Sequence, residues 1–197
     1  MRVIAGTLKG RRLDTPDWEG LRPTSDKLRE TLFNVLGPRV QGARVLDGYA
    51  GTGAVGIEAL SRGAAHVTFV ESDPRAATLI EHNLRRCAVT DRYAIIRARF
   101  ADAATRLPAG TFDLVLLDPP YGRDQLSAAL DAAAPLVAPH GLLILEHARR
   151  DDAPVPAASI TKMRDIVSGD SALTMYRAEH DGPENSNREK DGKSESV

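Results

Sequence analysis

An α/β fold is predicted for this 197-residue chain: a mostly parallel sheet with helices on both faces, one strand running backwards, and an N-terminal β-hairpin extension. Three observations predict it. From Ala43 onward short apolar runs alternate with helical segments, as in a parallel sheet covered on both sides. A glycine-rich loop joins the first such run to the first helix after it. The last two runs meet at Ser168-Gly169-Asp170-Ser171 with no crossover helix between them, and a tight hairpin requires antiparallel pairing.

The elements follow in order. Arg2 to Leu13 reads as a short hairpin bent at Gly6 and Gly10. Thr24 or Ser25 then caps a helix carrying Leu28, Leu32, Phe33, Val35 and Leu36 at helical spacing up to the Gly37-Pro38 stop. Arg44 to Asp47 is a first strand, Gly56 to Arg62 a helix, and Val67 to Glu71 a second strand. Asp73-Pro74 caps a helix reaching about Cys87, and Ala94 to Ala98 is a third strand. A short helix spans Ala103 to Leu107, Phe112 to Asp118 is a fourth strand, and Leu126 to Val137 a helix. Leu142 to Glu146 is a fifth strand, and Ile160 to Val167 and Ala172 to Arg177 form the closing hairpin. Residues 1–40 are therefore expected to form a hairpin-and-helix extension, 41–180 the α/β domain, and 181–197 a disordered tail of Gly, Pro, Asn, Ser and charge.

Composition narrows the function. The length suits one domain with a full core, and the formal charge of −1 gives no global basic field, so any nucleic-acid surface has to be local. One such locality is Met1 to Leu13, with Arg2, Lys9, Arg11 and Arg12 and no acid. The single Cys87 excludes an internal disulfide and a cysteine-rich metal site, and His66, His82, His140 and His147 show no metal-ligand spacing with it, so no metal is expected. The start lacks a signal-peptide core and no apolar run is of membrane-spanning length, so a cytoplasmic protein is expected.

The loop Asp47-Gly48-Tyr49-Ala50-Gly51-Thr52-Gly53-Ala54-Val55-Gly56 carries the first chemistry. Gly51 to Gly56 satisfies G-x-G-x-x-G, which admits an NAD-dependent oxidoreductase. In a dinucleotide site, however, the helix N-terminus faces a pyrophosphate, whereas here Asp47 puts a carboxylate where a phosphate is repelled. A cofactor with an amino or sulfonium cation fits better, and S-adenosylmethionine has both. Glu71, 24 residues after Asp47, is placed to accept two ribose hydroxyls or is an ordinary strand-end acid. Asp102 either accepts from an adenine amine or sits in the first turn of its helix, with the Phe100 backbone a rival adenine contact.

The second is Asp118-Pro119-Pro120-Tyr121, at the end of Leu114-Val115-Leu116-Leu117. Two prolines fix the backbone and offer carbonyls without N–H donors, Asp118 adds an acceptor carboxylate, and Tyr121 a stacking face. Together they suit a flat base bearing an exocyclic NH2; as a bare tetrapeptide they also suit a turn.

At these residues the chain resembles the class I methyltransferases that modify exocyclic amines. Arg22-Pro23-Thr24, Arg29-Glu30-Thr31-Leu32-Phe33-Asn34 and Gly56-Ile57-Glu58-Ala59-Leu60-Ser61-Arg62-Gly63 are similar to the bacterial 16S ribosomal RNA guanine-N2 methyltransferases of the RsmD type, over about Arg2 to Arg177. The resemblance implies a Rossmann-like, seven-stranded sheet with one antiparallel strand. It implies methyl transfer from S-adenosylmethionine to a guanine N2 (family site guanine 966), in 16S rRNA or a small-subunit assembly intermediate, by a monomer. It implies catalysis at Asp118, Pro119, Pro120 and Tyr121. Cofactor contacts fall to Asp47, Gly48, Ala50, Gly51, Gly53, Glu71, Asp102 and Thr24, Thr24 reaching the methionine carboxylate with Arg22 unless it only caps its helix.

The RNA surface is expected on Arg2, Lys9, Arg11 and Arg12, continued by Arg22, Lys27 and Arg29, with a solvated basic sheet edge as the plainer reading. Trp18 and Tyr49 are read as packing or rim residues. Two other functions remain open, the oxidoreductase and a non-catalytic RNA-binding assembly factor. The tetrapeptide itself does not separate guanine N2 from adenine N6 or cytosine N4, nor RNA from DNA.

Overall fold

The computed structural model describes residues 1–18, 25–120, 122–156 and 160–179. Arg22, Thr24 and Tyr121 among the expected site residues, and the expected tail, lie outside them. The elements are α1 (Asp26–Leu36), β1 (Arg44–Asp47), α2 (Ala54–Ser61), β2 (His66–Glu71), α3 (Pro74–Arg86), β3 (Tyr93–Arg97), α4 (Phe100–Ala104), β4 (Phe112–Leu117), α5 (Arg123–Ala133), β5 (Val137–Ala148), β6 (Ile160–Ser168) and β7 (Ser171–Ala178). Seven strands form one sheet in the order β3-β2-β1-β4-β5-β7-β6. Strand β7 is antiparallel to both its neighbours and the remaining pairings are parallel, the architecture expected of a Rossmann-like class I methyltransferase.

The strands are apolar on both sides because both sides are covered. Val45, Leu114, Leu116, Leu142 and Ile144 point to one face, where they meet α1, α2, α3 and the hairpin through Val3 and Leu13. Their neighbours Leu46, Val115, Leu117, Leu143 and Leu145 point to the other, against α4 and α5. This is the period-two alternation of a pleated strand, used twice. Ser25 caps α1 by accepting from the Leu28 N–H, and Asp73 caps α3 with Pro74 behind it.

Two helix boundaries are corrected, and the N-terminal hairpin is found as an extension off the sheet. The short helix starts earlier, at Phe100 rather than Ala103. Helix α5 ends at Ala133 instead of running to Val137, because Pro135 has no N–H for the ladder and its ring crowds the preceding turn; a 3-10 turn, Ala134–Leu136, takes over. The N-terminal hairpin has a single antiparallel bridge, Arg2 with Arg12, and does not join the sheet. It is anchored from the side instead: a side chain at Gly6 would come 1.9 Å from the Ser61 carbonyl oxygen, so only glycine allows the approach. Among the described residues no helix is long and apolar enough to cross a membrane.

Candidate active site

The carboxyl ends of β1, β2, β4 and β5 deliver acids to one edge of the sheet, the usual ligand edge of open α/β folds. There a cavity of about 370 Å³ is lined by Asp47, Glu71, Asp118 and Glu146. Ala50, Gly51, Pro119 and Pro120 line it as well, so both chemical motifs share one space. Leu28 and Leu32 of α1, Ile144 of β5 and Leu173 of β7 give it an apolar wall. Four carboxylates and no lysine or arginine are found among its described lining residues.

The glycine loop is shaped by these acids. Asp47 Oδ2 accepts from the Gly56 N–H at 2.9 Å, and Glu71 Oε2 accepts from the Gly51 N–H at 2.8 Å. Two of the loop amides are thus already donating to carboxylates, where a dinucleotide site would meet a pyrophosphate. Glu71 Oε1 also accepts from the Asp73 N–H at 2.8 Å, which fixes the carboxylate and leaves lone pairs for a ligand. Gly53 turns the chain with φ 76, a left-handed conformation that side chains disfavour. Gly48 lies against Leu117 and Phe100, where a Cβ would sit 2.5 Å from Leu117 Cδ2. Gly56 lets α2 press onto β2, a Cβ there falling 2.2 Å from Phe69.

Asp47 is buried, and loss of water raises its pKa from 3.8 to about 7; the Gly56 N–H opposes this, and Asp118 and Glu71 add like-charge repulsion. A carboxyl raised on folding keeps its proton while the unfolded chain has lost it. Asp47 therefore withdraws stability as pH rises from about 4 to about 7. Such a site favours a cation, which would restore the charge on Asp47.

Not every expected residue arrives. Asp102 is an exposed first-turn residue of α4, where the helix dipole favours it, and is not among the residues lining the cavity. Phe100, buried, packs its ring 5.1 Å from that of Tyr49. Tyr49 itself lines the cavity rather than only its rim. Arg2, Lys9, Arg11 and Arg12 are exposed together on the hairpin. The hairpin is tied at Ser61, the far end of α2 from the glycine loop, through the Thr7 N–H. Arg29 is corrected outright: it is wholly buried, donating to the Arg2 carbonyl at 2.8 Å and to Asp26 at 2.6 Å, and has no surface to offer RNA. Its place on the inward face of α1, one turn before Phe33, carries it inside. Glu146 was missed, although it closes an apolar strand as Asp47, Glu71 and Asp118 do.

The family described as "Conserved hypothetical protein 95" matches residues 1–177. The chain is 34% identical over 185 residues to the ribosomal RNA small subunit methyltransferase D of Escherichia coli K12, covering 92% of each chain. It is 33% identical over 181 residues to the protein of the same name from Haemophilus influenzae, covering 90% of this chain and 93% of that one. The solved structure of yhhF from Escherichia coli superposes with a TM-score of 0.81 at 32% identity, covering 91% of this chain and 98% of that one.

Proposed function

The chain belongs to the conserved hypothetical protein 95 family and to that of the ribosomal RNA small subunit methyltransferase D proteins, and on that premise we propose that it methylates ribosomal RNA from S-adenosylmethionine, at the exocyclic N2 of a guanine in 16S rRNA. The observation that carries the cofactor is the cavity with four carboxylates and no lysine or arginine among its described lining residues, which suits a ligand bearing ammonium and sulfonium charges and repels a pyrophosphate. Glu71 would hold the ribose hydroxyls, Asp47 would face the cationic end, and Gly48, Ala50, Gly51 and Gly53 would let the backbone come close. Bound there, S-adenosylmethionine supplies a methyl already activated for transfer.

The protein's own task is to present a poor nucleophile. A guanine N2 lone pair is delocalised into its ring; Asp118 and the Pro119 carbonyl would accept the two N2 hydrogens, favouring the pyramidal amine and turning its lone pair to the methyl. Tyr121 would stack on the base once it has left its helix. Residues 1–40 would form the RNA-contacting extension, with Arg2, Lys9, Arg11 and Arg12 along phosphates.

The test is methyl transfer from labelled S-adenosylmethionine to 16S rRNA or small subunits from a strain lacking this gene, followed by mass mapping. One methyl on a guanine N2 is expected. Methylation of an adenine or cytosine overturns the base, and RNA binding without transfer supports the assembly-factor alternative.

Asp47 gives a second expected result. Below pH 7 a cationic ligand must ionise this carboxyl, so S-adenosylmethionine binding should release about one proton at pH 5.5 and only a small fraction of one at pH 7.5. Calorimetry in two buffers of different ionisation enthalpy reads this directly. Asp47→Asn should abolish the release; an unchanged value would show that another group carries it.

A further inference from the structure

We propose that a basic groove beside the active-site cavity, built by Lys27, Arg149 and Arg150, holds the phosphates flanking the nucleotide under modification; this rests on the RNA reading above. The groove encloses about 750 Å³, and its other walls include Ser25, Ser168 and Ser171. Three elements run from the cavity into it. On α1, Leu28 lines the cavity and Lys27 the groove; on β5, Glu146 lines the cavity and Ala148 the groove; on β7, Leu173 lines the cavity and Ser171 the groove. At one or two residues' separation along strands that rise about 3.3 Å per residue, the groove begins within roughly 7 Å of the cavity.

Charge divides the two spaces. The cavity carries four acids and no lysine or arginine among its described lining residues, while the groove carries three bases against one acid, Asp170. A nucleotide whose base enters the acidic cavity keeps its phosphates in a region of opposite sign only if a basic surface adjoins the mouth. The hairpin bases are not that surface: Arg2, Lys9, Arg11 and Arg12 line neither the cavity nor the groove. Lys27, Arg149 and Arg150 are exposed, and the Ser25 and Ser168 hydroxyls beside them are donors of the kind that position phosphates, while the Ser171 hydroxyl donates to Glu146. The Arg149 backbone N–H donates to the Asp170 carbonyl at 2.7 Å and ties the end of β5 to the β6–β7 turn.

The experiment measures binding of the full chain to a 16S rRNA fragment across a salt series. Arg149→Glu with Arg150→Glu is expected to weaken binding at least tenfold and to flatten the salt slope by about 1.4, two phosphate contacts on a single strand. Lys27→Glu should weaken it while favouring α1, since an acid in a first helical turn suits the dipole, so loss of binding there is not loss of fold. Asp170→Asn should tighten binding. Arg44→Glu, the same charge change at the exposed amino end of β1, on the sheet edge away from the cavity, should leave it unaltered. A salt slope unchanged in the double variant, or an equal loss in Arg44→Glu, overturns the groove while the RNA reading stands. Wild-type protein that binds no RNA overturns both.

Discussion

Replacing Glu58 by alanine is expected to lower folding stability by roughly 3–5 kcal/mol, the usual cost of breaking a buried charge pair from one side. Glu58 is wholly buried on α2 and holds four groups at once. Its Oε2 accepts from the Ile4 N–H at 2.7 Å and its Oε1 from the Ala5 N–H at 3.0 Å and the Arg62 Nε–H at 2.7 Å. Its fourth partner is Arg29, whose Nη1 lies 3.8 Å from Oε2, and Arg29 is as buried as Glu58. Removing the carboxylate leaves two hairpin amides without an acceptor and a guanidinium whose remaining counter-charge is the half-exposed Asp26. The melting temperature should fall by about 10 °C or more for a chain of this length. Amide exchange at Ile4 and Ala5 should accelerate most. Glu58→Gln separates the contributions: it keeps an acceptor and the shape but removes the charge, so it should recover only part of the loss. A melting temperature within a few degrees of wild type for Glu58→Ala would mean that the hairpin is held by Val3, Leu13 and its bonds to Ser61 and Asn83 rather than by this carboxylate.

This network explains where sequence reading stopped. The strands were legible because the sheet is covered on both faces, which leaves runs such as Leu114 to Leu117 without polar interruption. The backward strand was legible from a two-residue turn, and Gly169, at φ 64, supplies the conformation that turn requires. The fate of Arg29 was not legible as a pair. Its spacing to Leu32 and Phe33 marks the inward face of α1, but of its two acids only the half-exposed Asp26 is local; the buried one, Glu58, is 29 residues away on another helix, and nothing local joins them. Charge type alone therefore placed it on a surface. Asp47, Glu71 and Asp118 were readable because each ends an apolar strand, and parallel strands bring such ends together. The same logic would have named Glu146. The end of α5 was legible too, in Pro135, had the proline been weighed above the apolar periodicity that continues past it.

Replacing Asp118 by alanine is expected to slow methyl transfer by about 10- to 150-fold while leaving cofactor affinity near wild type. The magnitude is that of one charge-assisted hydrogen bond, roughly 1.5–3 kcal/mol, acting where the amine develops charge. The separation from cofactor binding has a structural reason. Asp118 follows β4 and shares the cavity with Asp47 and Glu71, but the amides of the glycine loop are held by those two acids. Asp118 acts on Asp47 only as a like charge that helps to raise its pKa, so its removal eases Asp47 toward ionisation and does not harm a cationic ligand. Single-turnover rates at saturating S-adenosylmethionine and RNA read the chemical step, and calorimetry reads cofactor affinity. Asp118→Asn sharpens the result, because it preserves size and one acceptor while turning an NH2 toward the amine it should receive from. It is expected to be as slow as alanine. An unchanged single-turnover rate in either variant would remove Asp118 from the amine clamp, and a loss confined to cofactor affinity would reassign it to the cationic end of the ligand.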